Sequence, residues 1–180
     1  MSDVRHKVFI SYHHADEDKV NEFVETFADE RRVFISRGLG IGMSDDVVDS
    51  KDTDYVMRRI RELYLKDSTI TIVMIGRCTW ARRYVDWEIQ SSLRHGFFTT
   101  PNGLLGIKLS SYRNYNYPYR LNMNLLEDDE EGDCYARLIN YPTRKDYLGR
   151  CIEDAHKART SREHLIVNPR DRFIYNRQCL

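Results

Sequence analysis

Residues 69–75 read Thr-Ile-Thr-Ile-Val-Met-Ile and are followed by Gly76. The run is apolar on both faces for most of its length and rich in β-branched residues, as expected of a parallel strand covered by helices on both sides. A strand of this kind needs helical layers above and below it. Working outward, Lys7 to Tyr12 (KVFISY) is a second short, dense run that fits a central parallel strand, and Leu104 to Leu109 (LLGIKL) is another. Val33 to Ser36 predicts a further strand, and Leu138 to Tyr141 a short fifth one.

Helical periodicity fills the spaces between. Val20, Phe23, Val24 and Phe27 fall at i, i+3, i+4 and i+7, with Asp16 or Asp18 placed to cap the helix. Asp52 to Lys66 predicts a helix with Val56, Ile60, Leu63 and Tyr64 inward. Thr79 to Gly96 predicts one with the stripe Val85, Ile89 and Leu93 on the sheet. Asp146 to Arg159 predicts a last helix, with Tyr147, Leu148, Cys151, Ile152 and Ala155 inward. Alternation of strand and helix implies an α/β fold, a doubly wound parallel sheet flanked by helices.

Regularity fails from Ser110 to Thr143, where Tyr112, Tyr115, Tyr117 and Tyr119 crowd a loop and Glu127 to Asp133 forms an acidic run. The acidic run reads as a solvated insertion. The tyrosines could wall a nucleotide base or cover a sheet edge, and no anchoring motif favours the base. The chain therefore divides into an α/β domain over 1–160, with an irregular insertion at about 110–143, and a C-terminal extension over 161–180. In that extension Ile166, Val167, Phe173, Ile174 and Tyr175 are apolar enough to pack down.

At 180 residues the chain is most simply one domain. A chain of this size hides roughly 70% of its unfolded surface and needs neither metal nor disulfides for a core. Lysine plus arginine and aspartate plus glutamate both total 28, so no bulk charge draws nucleic acid or an anionic membrane. The longest strongly apolar run, Ile70 to Ile75, is too short to span a bilayer, and the polar start does not resemble a secretory signal, so a cytoplasmic location is the default. Cys78, Cys134, Cys151 and Cys179 are scattered, form no CxxC pair, and read as free thiols.

In a doubly wound sheet, ligands bind at the carboxyl ends of the strands. Ser11 to His14 reaches that edge after the first strand, and Ser44 to Asp46 after the second. The latter follow Gly38, Gly40 and Gly42, which suit either close backbone approach to a ligand or a mobile connection. The third contribution is the start of the helix carrying Tyr84, Val85, Asp86, Trp87 and Glu88. Tyr84, Glu88 and Ser92 lie along one line of that helix, and Glu88 reads either as a solvated surface residue or as the acid of a site.

A Ser/His/Asp hydrolase built on Ser11 with His13 or His14 lacks the GxSxG elbow, and the i, i+2 spacing does not bring base onto nucleophile. His13, His14 and Asp16 make a poor metal site, because adjacent histidines on an extended chain point to opposite faces. Glu88 alone suits another chemistry. Cleaving an N-glycosidic bond to a pyridinium needs no strong acid, because the leaving group already carries positive charge. It needs a carboxylate facing the ribose to stabilise an oxocarbenium-like transition state. A glutamate of ordinary pKa, about 4.3, is ionised at neutral pH and suits that role.

Two segments carry a family resemblance. Phe9 to Asp16 (FISYHHAD) resembles the first-strand box of TIR domains, F-x-S-Y/F followed by polar residues. Tyr84 to Ile89 (YVDWEI) resembles their third-helix signature W-C-x-x-E-L, with Tyr84 in place of tryptophan and Val85 in place of cysteine. With Arg82 and Arg83 preceding it, the segment is most similar to the TIR-like, NAD-consuming subunit of the bacterial Thoeris antiphage defence system. The resemblance spans about Lys7 to Leu109.

It implies a flavodoxin-like sheet of about five parallel strands and NAD hydrolase or cyclase activity, with NAD as substrate and no cofactor. Glu88 would be the catalytic carboxylate. Ser11, Tyr12, His13 and Tyr84 would border the nucleotide, and Ser44 and Asp45 would help to close the site. It further implies a cyclic or modified ADP-ribose product sensed by a separate effector protein, self-association, and activity only on triggering. The competing expectations are a non-catalytic TIR interaction module, in which Glu88 is structural, and a nucleotide sensor without turnover.

Overall fold

The computed structural model describes residues 4–39, 50–113, 116–126 and 131–180. Ser44 and Asp45, with the rest of the loop from Gly40, lie outside the described residues, as do Tyr115 and Glu127 to Glu130. Five strands form one all-parallel sheet: β1 (Lys7–Ser11), β2 (Ile35–Leu39), β3 (Ile70–Ile75), β4 (Gly103–Lys108) and β5 (Arg137–Asn140), in the order β2-β1-β3-β4-β5. β3 lies at the centre and is buried at every position, as its continuous apolar run requires.

The helices are α1 (Glu17–Val24, continued by a π-helical turn at Glu25–Glu30), α2 (Thr53–Ile60, continued by a π-helical turn at Arg61–Leu65) and α3 (Arg83–Ser92). After these come the short α4 (Tyr119–Asn122) and the long α5 (Lys145–Ser161). Even-numbered residues of β1 and β3 (Val8, Ile10, Ile70, Ile72, Met74) face a core shared with Val20, Phe23 and Phe27 of α1 and Leu148, Ile152 and Ala155 of α5. Odd-numbered residues face the other layer. Val73 and Ile75 meet Val85, Ile89 and Leu93 of the α3 segment, while Phe9 meets Val56, Met57 and Ile60 of α2 and Trp87 of α3. β4 comes so close to α5 that a Cβ on Gly103 would stand 2.1 Å from the Ala155 carbonyl oxygen, so only glycine fits.

Several expectations are corrected. β2 begins at Ile35, so Gly38 belongs to a strand rather than to the loop. Leu63 is 48% exposed, and Leu65 takes its place inside. The π turn adds about one residue per turn, so the position on the core face after Ile60 is reached at Leu65. Tyr147 faces outward from the first turn of α5. The insertion holds, besides the expected short fifth strand, the helix α4. Cys78 and Cys179 form a disulfide with their Cα atoms 5.7 Å apart, and only Cys134 and Cys151 are free thiols. The paired cysteines stand 101 residues apart, so no spacing in the sequence signals the bond.

The C-terminal tail runs along the start of α3, and its backbone makes most of the contacts. Trp87 Nε1–H donates to the Phe173 carbonyl (2.7 Å), Arg83 Nη1 to the Ile174 carbonyl (3.2 Å), and the Arg177 N–H to the Ala81 carbonyl (2.8 Å). Ile174 and Tyr175, expected to pack inward, are 68% and 77% exposed. Among the described residues no helix is long and apolar enough to cross a membrane.

Candidate functional site

β1 delivers Ser11 to the carboxyl edge of the sheet, where it pairs in register with Val73 of β3 and is fully buried. The chain then turns through a 3₁₀ segment at His14–Asp16. Asp16 is not the side-chain cap its position suggests. Its buried carboxylate accepts from Ser111 Oγ (2.6 Å) beyond β4 and abuts Gly76 at the end of β3, where a Cβ would sit 1.9 Å from the carboxylate oxygen. One carboxylate thus ties together the ends of three strands. The 3₁₀ turn also brings the His13 and His14 rings into edge contact at 4.4 Å, so the two do not diverge as they would on an extended chain.

α3 enters through a second 3₁₀ turn at Thr79–Ala81, held by Gly76 N–H donating to Thr79 Oγ1 at 2.8 Å. Glu88 sits in the middle of the helix and is 2% exposed rather than lying at a solvated edge. Ser11 Oγ–H donates to its Oε2. Burial drives the Glu88 pKa up to about 8, against the opposing pull of the Ser11 hydrogen bond, so the carboxyl group holds its proton at neutral pH in this arrangement. That corrects the expectation of a carboxylate ionised at its ordinary pKa.

The helix is buried nearly all round because the tail and α4 cover the side away from the sheet. Ser92 Oγ–H donates to the Glu88 carbonyl (2.8 Å) and meets Thr71 Oγ1 (2.6 Å). Asn102 Nδ2–H donates to Thr71 Oγ1 (3.2 Å), which explains the threonine inside the otherwise apolar β3. Asp86, one turn into the helix, is held by Arg120 and by the Phe173 N–H (3.1 Å).

The residues expected at the site are only partly brought together. Ser11 and Glu88 touch. His13 stays at the same edge, half-buried; burial, followed by neighbouring His14 and Arg82, pushes its pKa down to about 4, so it is neutral at pH 7. Tyr12 alternates to the opposite face of the sheet, inside the α1 core, and burial with the nearby Glu17 and Glu88 carboxyls raises its phenol well above the usual range. Tyr84 stacks edge-on with Trp87 at 5.3 Å, under the Arg83 guanidinium. Trp87 and Arg83 line a cleft of about 880 Å³ with Ser50, Lys51 and the tail residues Arg170 to Tyr175, and Glu88 does not reach it. The pairing of Asp86 with Arg120 and with the Phe173 N–H escaped the sequence reading. Its one signal was an aspartate inside an apolar helix segment, which demands a buried partner.

A carboxyl group and a hydroxyl thus meet at the carboxyl edge of a five-stranded parallel sheet flanked by helices, a doubly wound α/β protein. The family model for the TIR-like domain of the Thoeris protein ThsB matches residues 9–114, and the chain belongs to that family, a TIR domain of antiphage defence. No curated protein matches the sequence.

Proposed function

We propose that this protein cleaves the nicotinamide–ribose bond of NAD, with Glu88 as the catalytic carboxylate, and produces a cyclic or modified ADP-ribose that signals to a separate effector. The observation that carries the reading is the buried Ser11–Glu88 pair at the carboxyl edge of the sheet. In the reaction the ribose C1′–N bond breaks and its electron pair moves onto the pyridinium nitrogen, releasing neutral nicotinamide. The oxocarbenium ion is then captured by water, giving ADP-ribose and a proton, or by an internal nucleophile of the same molecule, giving a cyclic product.

The raised pKa of Glu88 fits this chemistry, because a cationic nicotinamide ring beside a neutral carboxyl group favours loss of its proton. The carboxylate then forms where positive charge develops on the ribose. Since Glu88 meets Ser11 and not solvent, the arrangement described here is a resting one, and turnover requires the pair to part. This supports activity on triggering. The same burial is what a purely structural glutamate would show, so a non-catalytic interaction module is the second reading.

The test is chromatography with mass detection on NAD incubated with the protein, in buffer and in infected-cell lysate, beside Glu88→Gln. The expected result is nicotinamide with a cyclic or conjugated ADP-ribose, absent in the variant. Unchanged NAD under both conditions, from folded protein that does not bind NAD, would favour the interaction module; binding without product would point to a nucleotide sensor.

A further inference from the structure

At the opposite end of the sheet lies a cleft of about 600 Å³, bounded by the segments that lead into the three central strands and by the last turns of α3 and of the π turn after α2. Arg5, Lys7, Arg61, Lys66, Arg94 and Arg159 surround it, against one lining carboxylate, Asp67. That carboxylate is already shared by Lys7 Nζ (2.7 Å) and Arg37 Nε (3.2 Å). Among the described residues Arg5, Arg61, Lys66 and Arg94 have no ion-pair partner.

The chain as a whole has a formal charge of zero, so this concentration is local. The carbonyl ends of two helical segments open on the cleft, each worth roughly half a negative charge. Set against six side-chain cations, they leave a clear positive excess. Burial, followed by the nearby Arg94 and Arg58, holds the Arg61 guanidinium below its usual range, against the opposing pull of Glu62 and Asp54. Thr99 and Thr100 add hydroxyl groups to the same walls, whereas those of Ser68, Thr69 and Ser91 already donate to the Leu65 carbonyl, the Lys7 carbonyl and Met57 Sδ. Clustered guanidinium groups with hydroxyl donors between them match the oxygens of linked phosphates. The volume is that of a small-molecule site, not of an extended groove for a polymer.

We propose that this cleft is a second ligand site that takes a compact anion carrying two or more linked phosphates, free or as part of a nucleotide. It is separate from the Ser11–Glu88 pair: Lys7 and Ser11 are the two ends of β1, roughly 13 Å apart along an extended strand. It does not depend on NAD cleavage.

Calorimetric titration of the full chain with pyrophosphate, tripolyphosphate, ADP and adenosine tests it, beside Arg61→Glu/Arg94→Glu and a control variant, Arg144→Glu, at the N-terminal end of α5. Saturable binding of the phosphates, weakened at least tenfold in the double variant and unchanged in the control, supports the site; adenosine gives none. ADP binding more tightly than pyrophosphate identifies a nucleotide, and equal binding identifies a free polyphosphate. Circular dichroism confirms that the double variant folds, and Lys66→Glu, an exposed substitution, gives an independent loss. No saturable phosphate binding, binding equal in wild type and double variant, or capture only of an acidic peptide or oligonucleotide overturns the proposal.

Discussion

Arg120 of α4 and Asp86 of α3 form a two-armed ion pair, Nε to Oδ1 at 3.0 Å and Nη2 to Oδ2 at 3.3 Å, with their side chains only 1% and 4% exposed. The same guanidinium donates to the carbonyls of Pro169 (2.8 Å) and Asp171 (2.6 Å), so the insertion after β4, the Glu88 helix and the C-terminal tail meet at one cation. Removing one partner strands the other charge. Arg120→Met is expected to cost about 3–5 kcal/mol in urea denaturation, and Asp86→Asn in the same background to restore part of it.

Glu88 makes stability fall with rising pH. Below its ordinary pKa near 4.5, folded and unfolded chains both hold the proton and there is no penalty. Between that value and about 8 the unfolded chain ionises while the folded one does not, so stability declines across this window and levels off above it. Glu88→Gln should remove that decline. His13, whose lowered pKa makes stability rise over the lower part of the same window, remains in the variant, so from pH 5 to pH 8 the urea midpoint of Glu88→Gln is expected to rise relative to that of the wild type; an equal pH response in both would show that the burial has no such effect.

Ser11 pulls the Glu88 pKa down through its hydrogen bond. With NAD cleavage as the activity, kcat/KM rises with pH as Glu88 ionises. Ser11→Ala should move that rise to higher pH and lower the rate at pH 7. A pH–rate profile measures both, and an unshifted profile would place Ser11 outside the site.

Gly76 must stay a glycine because of Asp16. The carboxylate that a Cβ would strike is buried and bonded to Ser111, so it cannot swing aside freely. Gly76→Ala is expected to cost about 1–3 kcal/mol, read as a lower urea midpoint. Ser111→Ala should relieve part of that clash by releasing the carboxylate.

The layer architecture was legible because it follows from local periodicity. A strand such as residues 69–75 can satisfy its apolar faces only between two helical layers, and the 2- and 3.6-residue patterns on either side say which residues turn inward. Ser11 and Glu88 were legible as candidates for the same reason, since strand ends in such a sheet converge on one edge. Leu63 was misread because the π turn at Arg61–Leu65 carries the inward position on to Leu65, and Tyr147 because it stands beside the inward stripe Leu148, Ile152 and Ala155 rather than on it.

The tertiary structure alone decided the protonation state of Glu88, the partner of Asp86 and the Cys78–Cys179 bond. Each depends on groups far apart in the chain: 77 residues for Ser11 and Glu88, 34 for Asp86 and Arg120, 101 for the cysteines. Sequence pattern determines which face of its own element a residue occupies. Desolvation and ion pairing depend on what covers that face, and here the cover is the insertion and the tail, whose course no periodicity records.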